Sequence, residues 1–154
     1  MARPEPALTP GRNCWRIERG DRATVIIDAE DYFARAHEAM AAARQQLLMV
    51  GWDFDGRIKL VYDEDREGPS MVGAFIEWLV ERQRSLNVFI LRWDPGAIKT
   101  LFRGTTVLTL IRWLRNPRIS LKLDGHHPFA ASHPQKIVVV DDCLAFCGGI
   151  DMTG

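Results

Sequence analysis

The chain contains no apolar run near the roughly twenty residues that a bilayer-spanning helix requires, so any contact with lipid is expected at the surface. Its first residues, Met1-Ala2-Arg3-Pro4-Glu5-Pro6, lack the apolar centre and small-residue cleavage site of a secretory signal. A cytoplasmic location, at most peripheral to a membrane, is the expectation. Neither sign of charge is in excess, with 20 Lys and Arg against 20 Asp and Glu. Phosphate-tracking surfaces need clustered excess cations, so no footprint for nucleic acid is expected. The one local basic bias, Arg112, Arg115, Arg118 and Lys122, reads as a solvated face. Three cysteines are too few for a disulfide framework. On one extended strand Cys143 and Cys147 would stand about 13 Å apart, beyond bridging distance. All three are expected as thiols, with Cys147 packed and unreactive because nothing electropositive beside it would lower its pKa.

What the chain does have is enough apolar material, 47% of 154 residues, to build one packed core. Prolines and glycine break up residues 1–12, and 1–22 are taken as an N-terminal arm before a body at 23–154. In that body Ala23 to Ile27 reads as a short buried strand, with Asp28 or Asp31 capping the helix that follows. Tyr32, Ala36, Met40, Ala43 and Leu47 make one apolar stripe. Leu47 to Trp52 reads as a buried strand, with Arg57 to Tyr62 as its antiparallel neighbour across Asp55-Gly56. A second helix starts at Gly68-Pro69-Ser70 and shows Met71, Phe75, Trp78, Leu79 and Arg82 on one face. Asn87 to Trp93 is an apolar strand, and Asp94-Pro95 suits a helix start. Thr105 to Leu114 is helical by the spacing of Val107, Leu108, Ile111 and Leu114. Ile119 to Leu123 is a strand, and Lys136 to Asp141 with Leu144 to Cys147 forms a hairpin or a bulged strand. Alternating strands and helices predict an α/β fold, a mixed β-sheet sandwiched by helices.

Three predicted strands run into an acid, at Asp53, Asp94 and Asp124. Open α/β sheets bind ligands beyond the carboxyl ends of their strands, so these side chains are candidates for the rim of a shared pocket. The simpler reading is that each carboxylate caps a helix or closes a turn. Carboxylates with His126 or His127 would also suit a divalent cation in a metal-dependent hydrolase, although the spacings match no compact ligand motif.

The chemistry concentrates between Ser132 and Gly149, where four residues separate Lys136 from Asp141 and six separate Asp141 from Gly148. Breaking a phosphodiester without a metal needs a nucleophile, an acid for the leaving oxygen and cations for the charge on the phosphoryl oxygens. A histidine two residues before a strand lysine shares its face at about 6.6 Å, close enough for both to meet one phosphate. That position holds Pro134. Small residues such as Gly148 and Gly149 let backbone approach a ligand closely.

By identities and spacing this stretch resembles the H-x-K-x4-D-x6-G signature of the phospholipase D superfamily, in its bacterial phospholipase D and cardiolipin synthase-like branch. Gly11 to Arg16, Gly51 to Asp55, His126-His127-Pro128 and Gly148 to Asp151 look like further segments of that family's N-terminal half. The resemblance implies a phosphodiesterase or transphosphatidylase acting on phospholipids, free of metal and cofactor. One motif's histidine attacks phosphorus, the other's protonates the departing alcohol, and the lysines hold the phosphate. Carried over, Lys136 matches the phosphate-binding lysine and Asp141 the acid that supports the site. Pro134 matches the histidine and can do none of its work. Strand alternation turns His133 away from Lys136 unless a bulge rotates it.

In the two-motif proteins a second half supplies the other histidine and lysine, and single-motif relatives complete the site by dimerising. Residues 23–154 are therefore expected to be a truncated half-domain whose last strands leave an unpaired edge, inactive on its own. Lys136, Gly148, Gly149, Asp53, Asp94, His126 and His127 are its candidate substrate-binding residues. The alternative is a non-catalytic module that keeps a phosphate pocket or a dimer face.

Overall fold

The computed structural model describes residues 7–51, 55–62, 65–93, 105–124 and 135–150. Regular structure begins at α1 (Ala29–Ala41). Asp28, in left-handed backbone at φ 67°, caps this helix by accepting from the Asp31 N–H at 3.1 Å. Glu30 and Asp31 add negative charge to the first turn, where the helix dipole favours it. Five strands follow: β1 (Gln46–Gly51), β2 (Asn87–Trp93), β3 (Ile119–Asp124), β4 (Lys136–Val140) and β5 (Leu144–Gly148). Between them run α2 (Val72–Arg82) and α3 (Thr105–Arg115).

The sheet order is β3-β2-β1-β4-β5. β1, β2 and β3 are parallel, β4 is antiparallel to β1, and β5 is antiparallel to β4. This is the mixed α/β sheet flanked by helices that the alternating pattern predicts. Alternation assigns Leu47, Met49, Val88, Ile90, Ile119, Val138 and Val140 to one face, and all are buried in a single cluster with Ala36, Met40, Phe75, Leu79, Leu110 and Trp113 of the helices. Burying each large side chain contributes about 1.5–3 kcal/mol, so this seam dominates the stability of the fold. The described helices all pack on that face.

Two readings of local structure are corrected. Residues 23–27 form no strand and are not buried, since Val25 is 86% and Ile27 76% exposed. They lie along the outer side of β5, lining clefts with Leu144 and Phe146, and no ladder hydrogen bond joins them to it among the described residues. An apolar run of five marks burial only where a facing surface exists. Residues 57–62 do not pair with β1, whose two neighbours are β2 and β4; they make one isolated bridge, Lys59 with Met71. The helix read at 105–114 is α3, and the residues whose spacing marked it are not the ones it buries. Trp113, 1% exposed, and Leu110 point to the core, while Leu108, Ile111 and Leu114 point outward. A tryptophan buries more area than any aliphatic side chain, and it sets the rotation of the helix.

The Asp94-Pro95 helix start falls outside the described residues. Cys14, Cys143 and Cys147 are free thiols, but Cys147 is exposed on β5 and does not pack. No described helix is long and apolar enough to cross a membrane.

Candidate functional site

Because β4 runs against β1, β2 and β3, its first residue arrives where theirs end. Lys136 pairs with Gly148 on one side, and one step beyond the Val50–Ile137 pair brings Gly51 beside it on the other. Gly51 in turn pairs with Arg92. Across four strands the carboxyl edge therefore reads Gly148, Lys136, Gly51, Arg92, and directly paired residues share a face. Lys136 stands on the helix-covered face, in line with buried Val138 and Val140. A Cβ added at Gly148 or Gly149 would meet nothing within 4 Å, so the space beside Lys136 on that side is open.

Segments 52–54, 94–104 and 125–134 all leave or rejoin the sheet at this edge in sequence. Asp53, Asp94, His126, His127, His133 and Pro134 belong to them and lie outside the described residues. Asp124 is the last residue of β3. Among the described residues no group of three His, Cys, Asp or Glu side chains could hold a metal ion.

Asp141 is at the other end of β4, five residues or about 16 Å along the strand from Lys136. It opens the turn between β4 and β5, where Asp141 and Asp142 both have positive φ, 51° and 55°, and the Cys143 N–H donates to the Val140 carbonyl at 3.1 Å. Two consecutive left-handed residues make the turn type that matches hairpin twist, and aspartate tolerates it. The Asp141 carboxylate accepts from three consecutive backbone N–H groups, those of Arg44, Gln45 and Gln46, at 2.8–2.9 Å. Partial burial pushes its pKa up, but the three donors outweigh that and hold it below the ordinary carboxylate value. The chain leaving α1 is thus fastened to the hairpin that carries Lys136. Tyr32 of α1 adds an edge-on contact with Phe146 of β5 at 6.0 Å.

Beyond Gly51 the described chain resumes at Asp55, whose carboxylate is gripped by the Arg57 guanidinium at 2.9 and 3.1 Å. That hydrogen-bonded pair lowers the Asp55 pKa, and the charge of Arg92 lowers it further. The first N–H groups of α2 are already occupied: Val72 donates to the Ile58 carbonyl at 2.9 Å and Gly73 to that of Gly56 at 3.0 Å. This helix terminus, which also lies at the carboxyl edge, offers no anion site.

Two open clefts flank the edge. One, about 1020 Å³, runs between residues 21–26 and β5 and includes Gly148 and Gly149. The other, about 1080 Å³, is walled by the start of α1 and residues 55–62, with Arg57, Lys59 and Arg66 on its sides. Lys136 lines neither of these two clefts. Arg92 was missed by the sequence reading, which took 87–93 as a uniformly apolar strand. Its signal was a lone charge in period-two step with Val88 and Ile90.

No family model matches the chain. It is 26% identical over 152 residues to phospholipase D A of Dictyostelium discoideum, covering 90% of this chain and 11% of that protein. Phospholipase D C of the same organism is 24% identical over 127 residues, with 82% and 8% covered. Phospholipase D of Phytophthora infestans is 26% identical over 144 residues, again with 82% and 8% covered. The chain thus spans a small part of the length of each curated relative it matches.

Proposed function

We propose that this chain, which belongs to the phospholipase D superfamily, is the phosphate-holding half of a phosphodiesterase acting on phospholipids, and that it turns over no substrate by itself. The observation that carries the reading is the position of Lys136, which begins β4 at the carboxyl edge of the sheet, where β1, β2 and β3 end, with Gly148 paired beside it. There its ammonium neutralises charge on the phosphoryl oxygens during hydrolysis or transphosphatidylation. Pro134, two residues earlier, has neither a nucleophile nor a proton to give. Strand alternation, carried back in sequence from Lys136, would turn His133 to the other face. Asp141 supports the site from a distance, by fixing the strand that presents Lys136.

Asp53, Asp94, His126 and His127 are candidate rim residues because their segments depart from the same edge. Residues 23–154 act as one half-domain, peripheral to the cytoplasmic side of a membrane. The missing histidine and second lysine come from further chain or from a partner copy.

The test is an assay on phosphatidylcholine vesicles and on bis(p-nitrophenyl) phosphate. The unmodified chain is expected to be silent, and Pro134→His to gain turnover only when a second H-x-K-x4-D half is supplied. Robust activity that survives Pro134→Ala would overturn the proposal. A non-catalytic phosphate-binding module is the second reading, favoured by the open space beside Lys136. It predicts phosphate binding lost in Lys136→Ala with no turnover from any Pro134→His combination.

A further inference from the structure

Residues 7–27 are held in place without a core of their own, and none of their side chains belongs to the buried cluster. The first turn is tied by local bonds. The Asn13 carboxamide accepts from the Thr9 N–H at 2.7 Å and donates to the Ala7 carbonyl at 2.9 Å, and the N–H of Gly11, at φ 80°, donates to the Cys14 carbonyl at 2.8 Å. That turn delivers Trp15, which is 88% exposed. Leu8, Ile17, Val25 and Ile27 are exposed as well, so five of the twelve large apolar side chains exposed among the described residues fall in this one segment. A single exposed apolar residue is ordinary, but such a concentration marks a surface that meets something.

Charge narrows what it meets. The chain as a whole is balanced, yet residues 7–27 carry four arginines against two acids. Arg16 pairs with Glu18 and Arg19 with Asp21, while Arg12 and Arg22 have no acidic partner among the described residues. The Arg16 guanidinium lies 5.9 Å from the centroid of the Trp15 ring. An indole beside guanidinium groups suits the headgroup level of a bilayer, where the ring is taken up by apolar chains and the cations stay wet. The segment contains neither helix nor ladder strand. A folded protein partner needs a shaped, densely packed face, whereas a fluid interface conforms to side chains set along a loop. The segment also reaches the candidate site. Residues 21–26 wall the cleft of about 1020 Å³ whose other side holds Gly148 and Gly149, and Gly148 pairs with Lys136.

We infer that residues 8–27 are a membrane-contact segment, which seats Trp15, Ile17, Val25 and Ile27 at the boundary between headgroups and acyl chains and sets Arg12 and Arg22 on anionic phospholipid headgroups. The choice of lipid as the partner rests on the reading of the chain as one that acts on phospholipids. It adds the side from which lipid arrives, along β5 toward Lys136.

Sedimentation of the full chain with two kinds of vesicle tests it: phosphatidylcholine alone, and phosphatidylcholine with phosphatidylglycerol in equal parts. The unmodified chain is expected to bind the anionic vesicles more tightly. Trp15→Ser is expected to weaken that binding about tenfold, the effect of leaving one large apolar side chain in water. Arg12→Gln and Arg22→Gln are each expected to cost about fivefold on anionic vesicles and little on neutral ones. All three side chains are exposed, so melting temperatures should not change. Failure of the unmodified chain to bind anionic vesicles, or unchanged binding by Trp15→Ser, would overturn the inference. A dimer abolished by Trp15→Ser, with no binding to vesicles, would give the segment to a second copy and overturn it too. Calorimetric titration with inorganic phosphate separates this inference from the reading of Lys136. The three variants are expected to keep the phosphate affinity of the unmodified chain, and a loss of it in step with vesicle binding would contradict a separate contact segment. Vesicle binding that depends on Trp15 in a chain that takes no phosphate would remove the Lys136 reading and support the membrane contact.

Discussion

Asp141 and Gln46, 95 residues apart, are bonded in both directions: the Gln46 N–H donates to the Asp141 carboxylate at 2.9 Å, and the Asp141 N–H donates to the Gln46 carbonyl at 2.8 Å. With the Arg44 and Gln45 N–H groups on the same carboxylate, this joins the start of β1 to the end of β4.

Replacing Asp141 by alanine leaves three backbone donors without their acceptor and a left-handed residue without its compensation. The expected loss is about 2 kcal/mol, read from urea unfolding. The bound carboxyl titrates below its ordinary value, so its contribution is fully present above the unfolded pKa of about 3.9 and is lost as pH falls through the folded value. Asp141→Asn should remove that part of the acid dependence. An unchanged acid limb would show that other carboxylates govern it.

His37 is buried on α1 and stacks on Phe75 with ring centroids 4.3 Å apart. Burial, then the charge of Arg66, lowers its pKa below 6.5, against opposing contributions from Glu38 and Glu67. The unfolded chain therefore takes up a proton more readily than the folded one, and stability must decline as pH drops from about 6.5 toward the folded value. Melting temperatures between pH 7 and pH 5 should fall in the native chain and stay level in His37→Phe. Parallel slopes in the two would exclude His37 as the titrating group.

Gly73 opens α2 against the loop that follows β1. A Cβ there would stand 2.9 Å from the Gly56 carbonyl oxygen and 3.1 Å from Thr109 Cγ2. Helix propensity alone favours alanine by about 1 kcal/mol, but a clash with backbone outweighs it, since overpacking costs about 1–3 kcal/mol. Gly73→Ala is expected to destabilise, and Gly148→Ala, in open space, to change stability by less than about 0.5 kcal/mol. Thermal melts of the pair check the contrast; equal effects would contradict it.

Strand β2 was legible to the residue because a largely apolar run is bounded by turn signals, and the α1 stripe at Tyr32, Ala36 and Met40 because its period matches its burial, although Ala43 and Leu47, read into the same helix, lie beyond its end at Ala41. The Asp28 cap was also readable. The position of residues 23–27 was not, because five apolar residues say nothing about which surface receives them. Nor was the rotation of α3, where two apolar stripes compete and only the packing of Trp113 chooses. At the site, spacing identified Lys136 and Asp141 as one motif. It could not show that β4 runs against β1, which puts Lys136 and not Asp141 at the carboxyl edge of the sheet. The same reversal puts Arg92 and Lys136 at one edge on strands that flank β1, a juxtaposition of positions 44 residues apart that no local pattern encodes.

That separation along β4 divides the motif's letters between two kinds of selection. A chain relieved of catalysis would still require Asp141 to close its hairpin, and it would lose stability if that residue drifted. Pro134, beyond the other end of the strand, is under no such constraint from the hairpin. A search pattern can therefore outlive the chemistry it was drawn from, kept partly legible by the demands of folding alone.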